Sequence, residues 1–124
     1  MVILRPSDRE LLKKLEEAKK ALKTQGGVFA NPAKAVGELN NLKLGDTREI
    51  WSLILDLLEE IHPKDYKGAK PPQKSYEKAI AGHDLFAFCW QSEKCEEKMY
   101  IKFALKNGLY YYVSLHPSHL LKKE

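Results

Sequence analysis

Lysine, tyrosine, serine and histidine recur at alternating positions near the C-terminus. In the run KMYIKFALKNGLYYYVSLHPSH (residues 98–119), the polar positions include Lys98, Tyr100, Lys102, Ser114 and His116. Alternation of polar and apolar residues is typical of a β-strand with one face in the core, so these side chains are expected on the opposite face. Lysines and phenols can bind and neutralise a phosphate. Histidine, with an unperturbed pKa of about 6.5, can give or take a proton near neutral pH.

These groups are the ones that a ribonuclease without a metal ion needs. A base helps the ribose 2′-hydroxyl to attack the adjacent phosphorus, cations and hydroxyl donors stabilise the developing charge, and an acid protonates the leaving oxygen. A second interpretation stays open, because antiparallel sheets often have one solvated face on which lysine and tyrosine simply suit water. A metal site at His116 and His119 is not expected, since no Asp, Glu or Cys lies at ligand spacing around them.

The length of the turn around Asn107-Gly108 decides which side chains of the hairpin share a face. A two-residue Asn-Gly loop would place Ser114 and His116 on the apolar side. A three-residue loop, with the glycine in the left-handed position, makes one face apolar throughout, and a slip of one residue would reverse every side chain. The three-residue loop is therefore predicted, with the pairs Leu105–Leu109, Phe103–Tyr111, Ile101–Val113 and Met99–Leu115.

The predicted polar face follows by alternation. Its expected neighbours are Tyr100 with Ser114, Lys102 with Tyr112, and Lys98 with His116. Tyr110 and Tyr112 on this face could stack on unpaired bases or could support the hairpin through cross-strand contacts, and the sequence favours neither. In the preceding strand the residues expected in the core are Phe86, Phe88 and Trp90, which leaves Leu85, Ala87 and Cys89 on the polar side.

Three helices are predicted before these strands. Their starting signals are a capping box of Ser7 and Glu10, Asn31 followed by Pro32, and Asp46 ahead of a wide apolar face. The second helix is expected to turn Ala33, Val36 and Leu39 inward. Between the third helix and the first strand, residues 64–83 form a long irregular segment with five lysines. A loop of this length in a small protein is usually either functional or poorly ordered.

Length and composition predict a single domain over residues 1–124. The apolar content of 44% and charged content of 31% suit a globular protein, and no apolar run approaches the roughly 20 residues that cross a membrane. Two cysteines, Cys89 and Cys95, are too few for a disulfide framework. With no secretion signal at the N-terminus, a cytoplasmic location with reduced thiols is expected.

The net charge of +4 comes from the second half of the chain. Ten basic and ten acidic residues precede His62, whereas eleven basic and seven acidic residues follow Ile61. An anionic partner, such as an RNA backbone or an acidic protein, would be steered to that half.

Several short pieces of this sequence are similar to the signatures of one family. The pieces DYKG after the third helix, MYIKFAL in the middle strand and YYVSLH in the last strand resemble those of the MqsR-type mRNA interferase toxins, relatives of the RelE-like ribonucleases. The preceding order also matches: a helix, a Gly-Val-Phe stretch, a helix opening with Asn-Pro-Ala, and a long apolar helix. The resemblance covers most of the chain, from about Leu11 to His116.

The resemblance implies an α+β fold of the RelE/barnase type, with N-terminal helices packed on one face of a C-terminal antiparallel β-sheet. It implies a cytoplasmic toxin that cuts single-stranded mRNA without a cofactor, leaves a 2′,3′-cyclic phosphate and a 5′-hydroxyl, and is inhibited by a cognate antitoxin protein. The catalytic residues expected by position are Lys67, Tyr100, Lys102 and His116. The residues expected to contact RNA are Lys70, Lys98, Tyr112 and Ser114.

Two features depart from the family pattern. A family glutamine aligns with Ala87, so its contact is absent or supplied elsewhere, and the segment between Lys67 and Asp84 is long. The long segment could change which RNA is held, or cap the site. A module of the same fold that binds RNA or protein without cleaving it is therefore the alternative, with Ala87 in its favour and His116 against it.

Overall fold

The computed structural model describes residues 6–43, 46–68 and 72–118. Three α-helices and four β-strands make up an α+β architecture. The helices are α1 (Asp8–Thr24), α2 (Pro32–Asn41) and α3 (Thr47–Glu60), and the strands are β1 (Gly27–Phe29), β2 (Phe86–Ser92), β3 (Glu97–Lys106) and β4 (Leu109–Pro117). Short 3₁₀ turns at Pro63–Asp65 and Lys78–Ile80 lie in the segment that joins α3 to β2.

The helices begin where the local signals predict. Glu10 N donates to Ser7 Oγ over 3.1 Å while Ser7 N donates to a carboxylate oxygen of Glu10 over 2.9 Å, a complete capping box. Asn31 caps α2 by accepting from Lys34 N, with proline in the first turn. Within α2, Leu39 packs against the core as predicted, but Ala33 and Val36 are exposed and Ala35 is the buried residue.

The sheet is mixed, not antiparallel throughout as predicted. Its strand order is β1-β4-β3-β2, in which β2, β3 and β4 are antiparallel neighbours and β1 pairs with β4 in parallel. A parallel pair needs a long crossover connection. The chain supplies it, because two helices and the β2–β3 pair lie between β1 and β4 in sequence.

The main core lies between one face of the sheet and the helices, as expected. Leu11 and Leu15 of α1, with Ile54 and Leu57 of α3, are at most 1% exposed. The sheet side chains in this cluster are Phe86, Phe88, Trp90, Met99, Ile101, Phe103, Tyr110, Tyr112 and Leu115. Among the described residues no helix is both long and apolar enough to span a bilayer.

The β3–β4 hairpin combines a two-residue turn with a β-bulge, so the predicted register is wrong. Asn107 and Gly108 both have positive φ, +54° and +77°, as the tight turn requires. Along the hairpin away from the turn, Phe103 pairs with Tyr112, but the next pair is Lys102 with Ser114. Val113 is therefore the extra residue of the bulge. The pairs beyond the bulge are Ile101–Leu115, Tyr100–His116 and Met99–Pro117.

This bulge places the polar residues of β4 on two different faces. Tyr110 and Tyr112 lie in the main core, at 0% and 1% exposure, so their predicted position on the polar face is wrong. After the bulge Ser114 and His116 lie on the other face, next to Lys102 and Tyr100 respectively. One inserted residue therefore places Ser114 and His116 on the face opposite the main core. The predicted three-residue loop would have placed them on that face in a different way.

A small apolar cluster covers part of the second face of the sheet. Ile80, from the segment between α3 and β2, packs with Leu85 and Ala104 into a small apolar cluster near the hairpin turn. The remaining part of this face, here called the open face, carries Ala87, Cys89, Tyr100, Lys102, Ser114 and His116. Cys89 and Cys95 are free thiols, as predicted.

Candidate functional site

A cavity of about 130 Å³ opens on the open face between β3 and the chain that runs along β2. Its lining residues are Lys67, Gly68, Gln73, Leu85, Ala87, Tyr100 and Lys102. Three of the four residues expected to be catalytic, Lys67, Tyr100 and Lys102, are thus brought together from two distant parts of the chain. Among the residues that the structure describes, no carboxylate lines this cavity, so its two lysines give it a positive potential.

Lys67 is held beside β2 by the backbone. Tyr66 forms an antiparallel bridge with Phe88, and Lys67 N donates to Ala87 O over 2.8 Å. The Tyr66 ring is buried edge-on against Phe88, with ring centroids 5.7 Å apart. A Cβ at Gly68 would lie 2.6 Å from the Tyr66 hydroxyl, so only glycine fits where the chain turns away from the sheet.

Tyr100 and Lys102 project from β3 on the same side, because they are two residues apart in a regular strand. Burial raises the pKa of the Tyr100 phenol, and electrostatic interactions with Cys89 and Glu38 raise this pKa further, so the phenol stays protonated and can donate. Burial lowers the pKa of the Lys102 ammonium, and the nearby charge of Lys34 lowers it further. The Lys102 ammonium lies 6.0 Å from the centre of the Tyr100 ring.

His116 is close to this group but is not part of the cavity wall. Its ring stacks on Tyr100 with 5.1 Å between ring centroids and 26° between planes. Its Nδ1 lies 3.0 Å from the Pro117 carbonyl oxygen. Because a carbonyl can only accept, Nδ1 carries the proton in this contact and Nε2 is left as the basic nitrogen.

Glu38 of α2 binds both sides of the bulge, a contact that the sequence prediction missed. One carboxylate oxygen accepts from Tyr112 Oη over 2.6 Å and from Leu115 N over 3.0 Å, and the other accepts from Ser114 Oγ over 2.7 Å. Burial and this hydrogen bond to Glu38 raise the pKa of the Tyr112 phenol. Tyr112 therefore does not lie on a surface where RNA could stack, and the Ser114 hydroxyl, 4% exposed, is already bonded.

The remaining residues named from the sequence are Lys98, Lys70 and His119. Lys98 is exposed on β3, beyond Tyr100 along the strand. Lys70 and His119 lie outside the described residues. Within the described ranges, no three His, Cys, Asp or Glu side chains come together to hold a metal ion.

Three residues near the cavity were not predicted. Gln73 lines it from the segment between α3 and β2, Lys34 of α2 is close enough to affect Lys102, and Glu38 holds the bulge. Glu38 had no usable signal in the sequence, because α2 turns Ala35 inward and the helical pattern had predicted other positions. Gln73 follows two prolines in irregular sequence, where no periodicity gives its direction.

With two lysines and a phenol in its lining, the cavity is suited to an anionic ligand. Comparison of this chain with protein-family models, with curated proteins and with solved structures gave no match.

Proposed function

We propose that this protein is a metal-independent, sequence-selective endoribonuclease that cleaves single-stranded mRNA, of the MqsR-like toxin type. The observation that carries the proposal is the convergence of Lys67, Tyr100 and Lys102 on one small cavity. Two lysines and a phenol that stays protonated are suited to a phosphate and to the extra charge of its transition state. The stacking of His116 on Tyr100 adds a group for proton transfer beside them.

The reaction is transesterification at phosphorus. The 2′-oxygen forms a bond to phosphorus and the bond from phosphorus to the 5′-oxygen breaks, which leaves a 2′,3′-cyclic phosphate and a 5′-hydroxyl. Nε2 of His116 takes the 2′-hydroxyl proton, and Lys67 with Lys102 binds the non-bridging oxygens. The leaving 5′-oxygen takes a proton from Tyr100 or Lys102. Lys102 suits this step because its lowered pKa makes the ammonium a stronger acid.

An inhibitory partner belongs to the same proposal. A protein that cuts cellular mRNA must be neutralised, and we propose a cognate antitoxin protein as the inhibitor. This part rests on the family resemblance alone.

The second candidate is a module that binds RNA or protein through the open face without cleaving it. Two observations favour it. His116 does not line the cavity, and the position of Ala87 on the cavity floor offers no polar group. The positive cavity would then serve for recognition only.

Cleavage of a long single-stranded RNA in EDTA tests the proposal. We expect discrete cuts by the wild type that end in cyclic phosphate, and a loss of about 10²- to 10³-fold in Lys67→Ala and His116→Ala. Lys64→Ala is the matched control, because Lys64 is an exposed lysine three residues before Lys67 and does not line the cavity. Binding that weakens with salt, without cuts, would favour the binding module.

A further inference from the structure

The chain between α3 and β2 follows the edge of β2 in two separate places. Lys67 N donates to Ala87 O, and further along Leu85 N donates to Gln73 O, each over 2.8 Å. Ser75 N donates to His83 O over 2.9 Å, so the second contact continues as a short antiparallel pairing. The described chain therefore contacts the edge of β2 at Lys67 and again at Gln73.

These two anchor points place Lys67 and Gln73 on the same wall of the cavity. Tyr100 and Lys102 form the opposite wall, and Ala87 lies between the walls on β2, paired with Lys102. Alanine has a short side chain, which leaves the space between the walls open. Gln73 is held there by its backbone, and the residue is exposed to solvent.

The chemistry of the glutamine amide differs from that of the other polar groups in this wall. Lysine ammonium groups only donate, whereas an amide donates through its nitrogen and accepts through its oxygen. A phosphate group offers acceptors only, so the amide oxygen would have no role toward it. A nucleobase edge offers donors and acceptors together, and amides read such edges with paired hydrogen bonds.

We infer that Gln73 is a specificity-determining residue that hydrogen-bonds the nucleobase next to the phosphate held by Lys67 and Lys102. This inference rests on the proposed function, since it assigns the substrate preference of the same cavity. Gln73 has no part in the bond-breaking step. Its loss changes which sequences are cut more than how fast the best sites are cut.

A randomised single-stranded RNA pool, cleaved in EDTA and sequenced at the cut ends, measures this preference. We expect the wild type to favour one base beside the cut by about 5- to 150-fold, and Gln73→Ala to lose that preference while still cutting. Gln91→Ala is the matched control, because Gln91 is an exposed glutamine on β2 outside the cavity. The same preference in Gln73→Ala, or an equal loss of cutting at every sequence, would overturn the inference.

A binding measurement separates this inference from the proposed function. Short RNAs that differ at one base are titrated against the wild type and Gln73→Ala. If the wild type does not cut but its base preference in binding disappears in Gln73→Ala, the endoribonuclease proposal fails and the role of Gln73 stands. Absence of RNA binding, or a preference that Gln73→Ala keeps, overturns the role of Gln73. The variant should fold, because the hydrogen bond to Leu85 N uses the backbone oxygen.

Discussion

Glu38 in α2 accepts a 2.7 Å hydrogen bond from Ser114 in β4, and its second carboxylate oxygen accepts from Tyr112 on the other side of the β-bulge. The bulge is the point where β4 changes the face that its polar residues occupy. The helix therefore fixes the register that places Ser114 beside Lys102 and His116 beside Tyr100. A single carboxylate links the core to the open face.

Removal of this carboxylate should destabilise the fold and disturb the site together. Glu38→Ala leaves the Tyr112 hydroxyl and Leu115 N without their acceptor, and we expect a loss of about 2–4 kcal/mol in the free energy of unfolding. The proposed RNA cleavage should also fall, because the register around Lys102 is no longer held. Glu38→Gln keeps one acceptor oxygen and should lose about half as much stability. Urea unfolding measures the stability of both variants. A loss below about 0.5 kcal/mol in Glu38→Ala would contradict the role of Glu38 in holding the bulge.

Lys102→Met should remove the proposed RNA cleavage without lowering the stability of the fold. The folded-state pKa of Lys102 lies below its ordinary value of 10.5, so the folded protein holds this proton less tightly than the unfolded chain does. Its charge therefore disfavours folding at neutral pH, and stability rises as the pH increases from the folded pKa toward 10.5. We expect Lys102→Met to unfold at the same or a slightly higher denaturant concentration than the wild type at pH 7. The free energy of unfolding should rise by between zero and about 1 kcal/mol.

The pH dependence checks this explanation. The difference in stability between Lys102→Met and the wild type should shrink as the pH rises through 10.5, because above that pH the wild-type lysine has lost its proton in both states. A variant that is less stable than the wild type by more than about 1 kcal/mol at pH 7 would show that the lysine stem contributes packing instead.

Glu60, at the end of α3, should contribute stability that is lost in acid. Burial raises the pKa of this carboxyl, but hydrogen bonds from Trp90 Nε1, Lys94 N, Ser92 Oγ and Glu93 N outweigh burial and hold it below 4.5. A lowered folded-state pKa means stability that is present above 4.5 and lost as the pH falls through and below that value.

The variant Glu60→Gln tests this at two pH values. We expect a loss of about 1–3 kcal/mol in the free energy of unfolding at pH 7, since hydrogen bonds to a charged group are replaced by weaker ones. The difference from the wild type should narrow steadily below pH 4.5. An unchanged difference between pH 7 and pH 3 would mean that packing around Glu60, not its charge, carries the effect.

Gly27 in β1 should not tolerate a methyl group. A Cβ there would lie 2.5 Å from the Trp51 ring, which also packs against Phe29 and Tyr110. We expect Gly27→Ala to lower the free energy of unfolding by about 1–3 kcal/mol. Gly37→Ala in α2 is the control, because nothing lies within 4 Å of its added Cβ, and it should gain about 0.5–1 kcal/mol through helix propensity. Thermal unfolding of both variants measures the contrast, and equal effects would contradict the close contact with Trp51.

Local signals in the sequence determined the elements of this protein and part of its site. Ser7, Asn31 and Asp46 act within a few residues, so the helix starts they specify could be predicted. The alternation in β3 placed Tyr100 and Lys102 on one face, because a regular strand has period two whatever it packs against. The family resemblance added Lys67, and the cavity contains all three.

The register of β4 and the place of Gln73 in the cavity wall depend on contacts between distant parts of the folded chain. The bulge at Val113 is held by Glu38, 75 positions earlier in the chain, and alternation alone gave the wrong face to Tyr112. Gln73 reaches the cavity only because its carbonyl accepts from Leu85 N at the edge of β2. Contacts between residues far apart in sequence leave no periodic signal, so which face a strand residue occupies after a bulge, and where an irregular segment is anchored, are set by packing and hydrogen bonding in the folded chain.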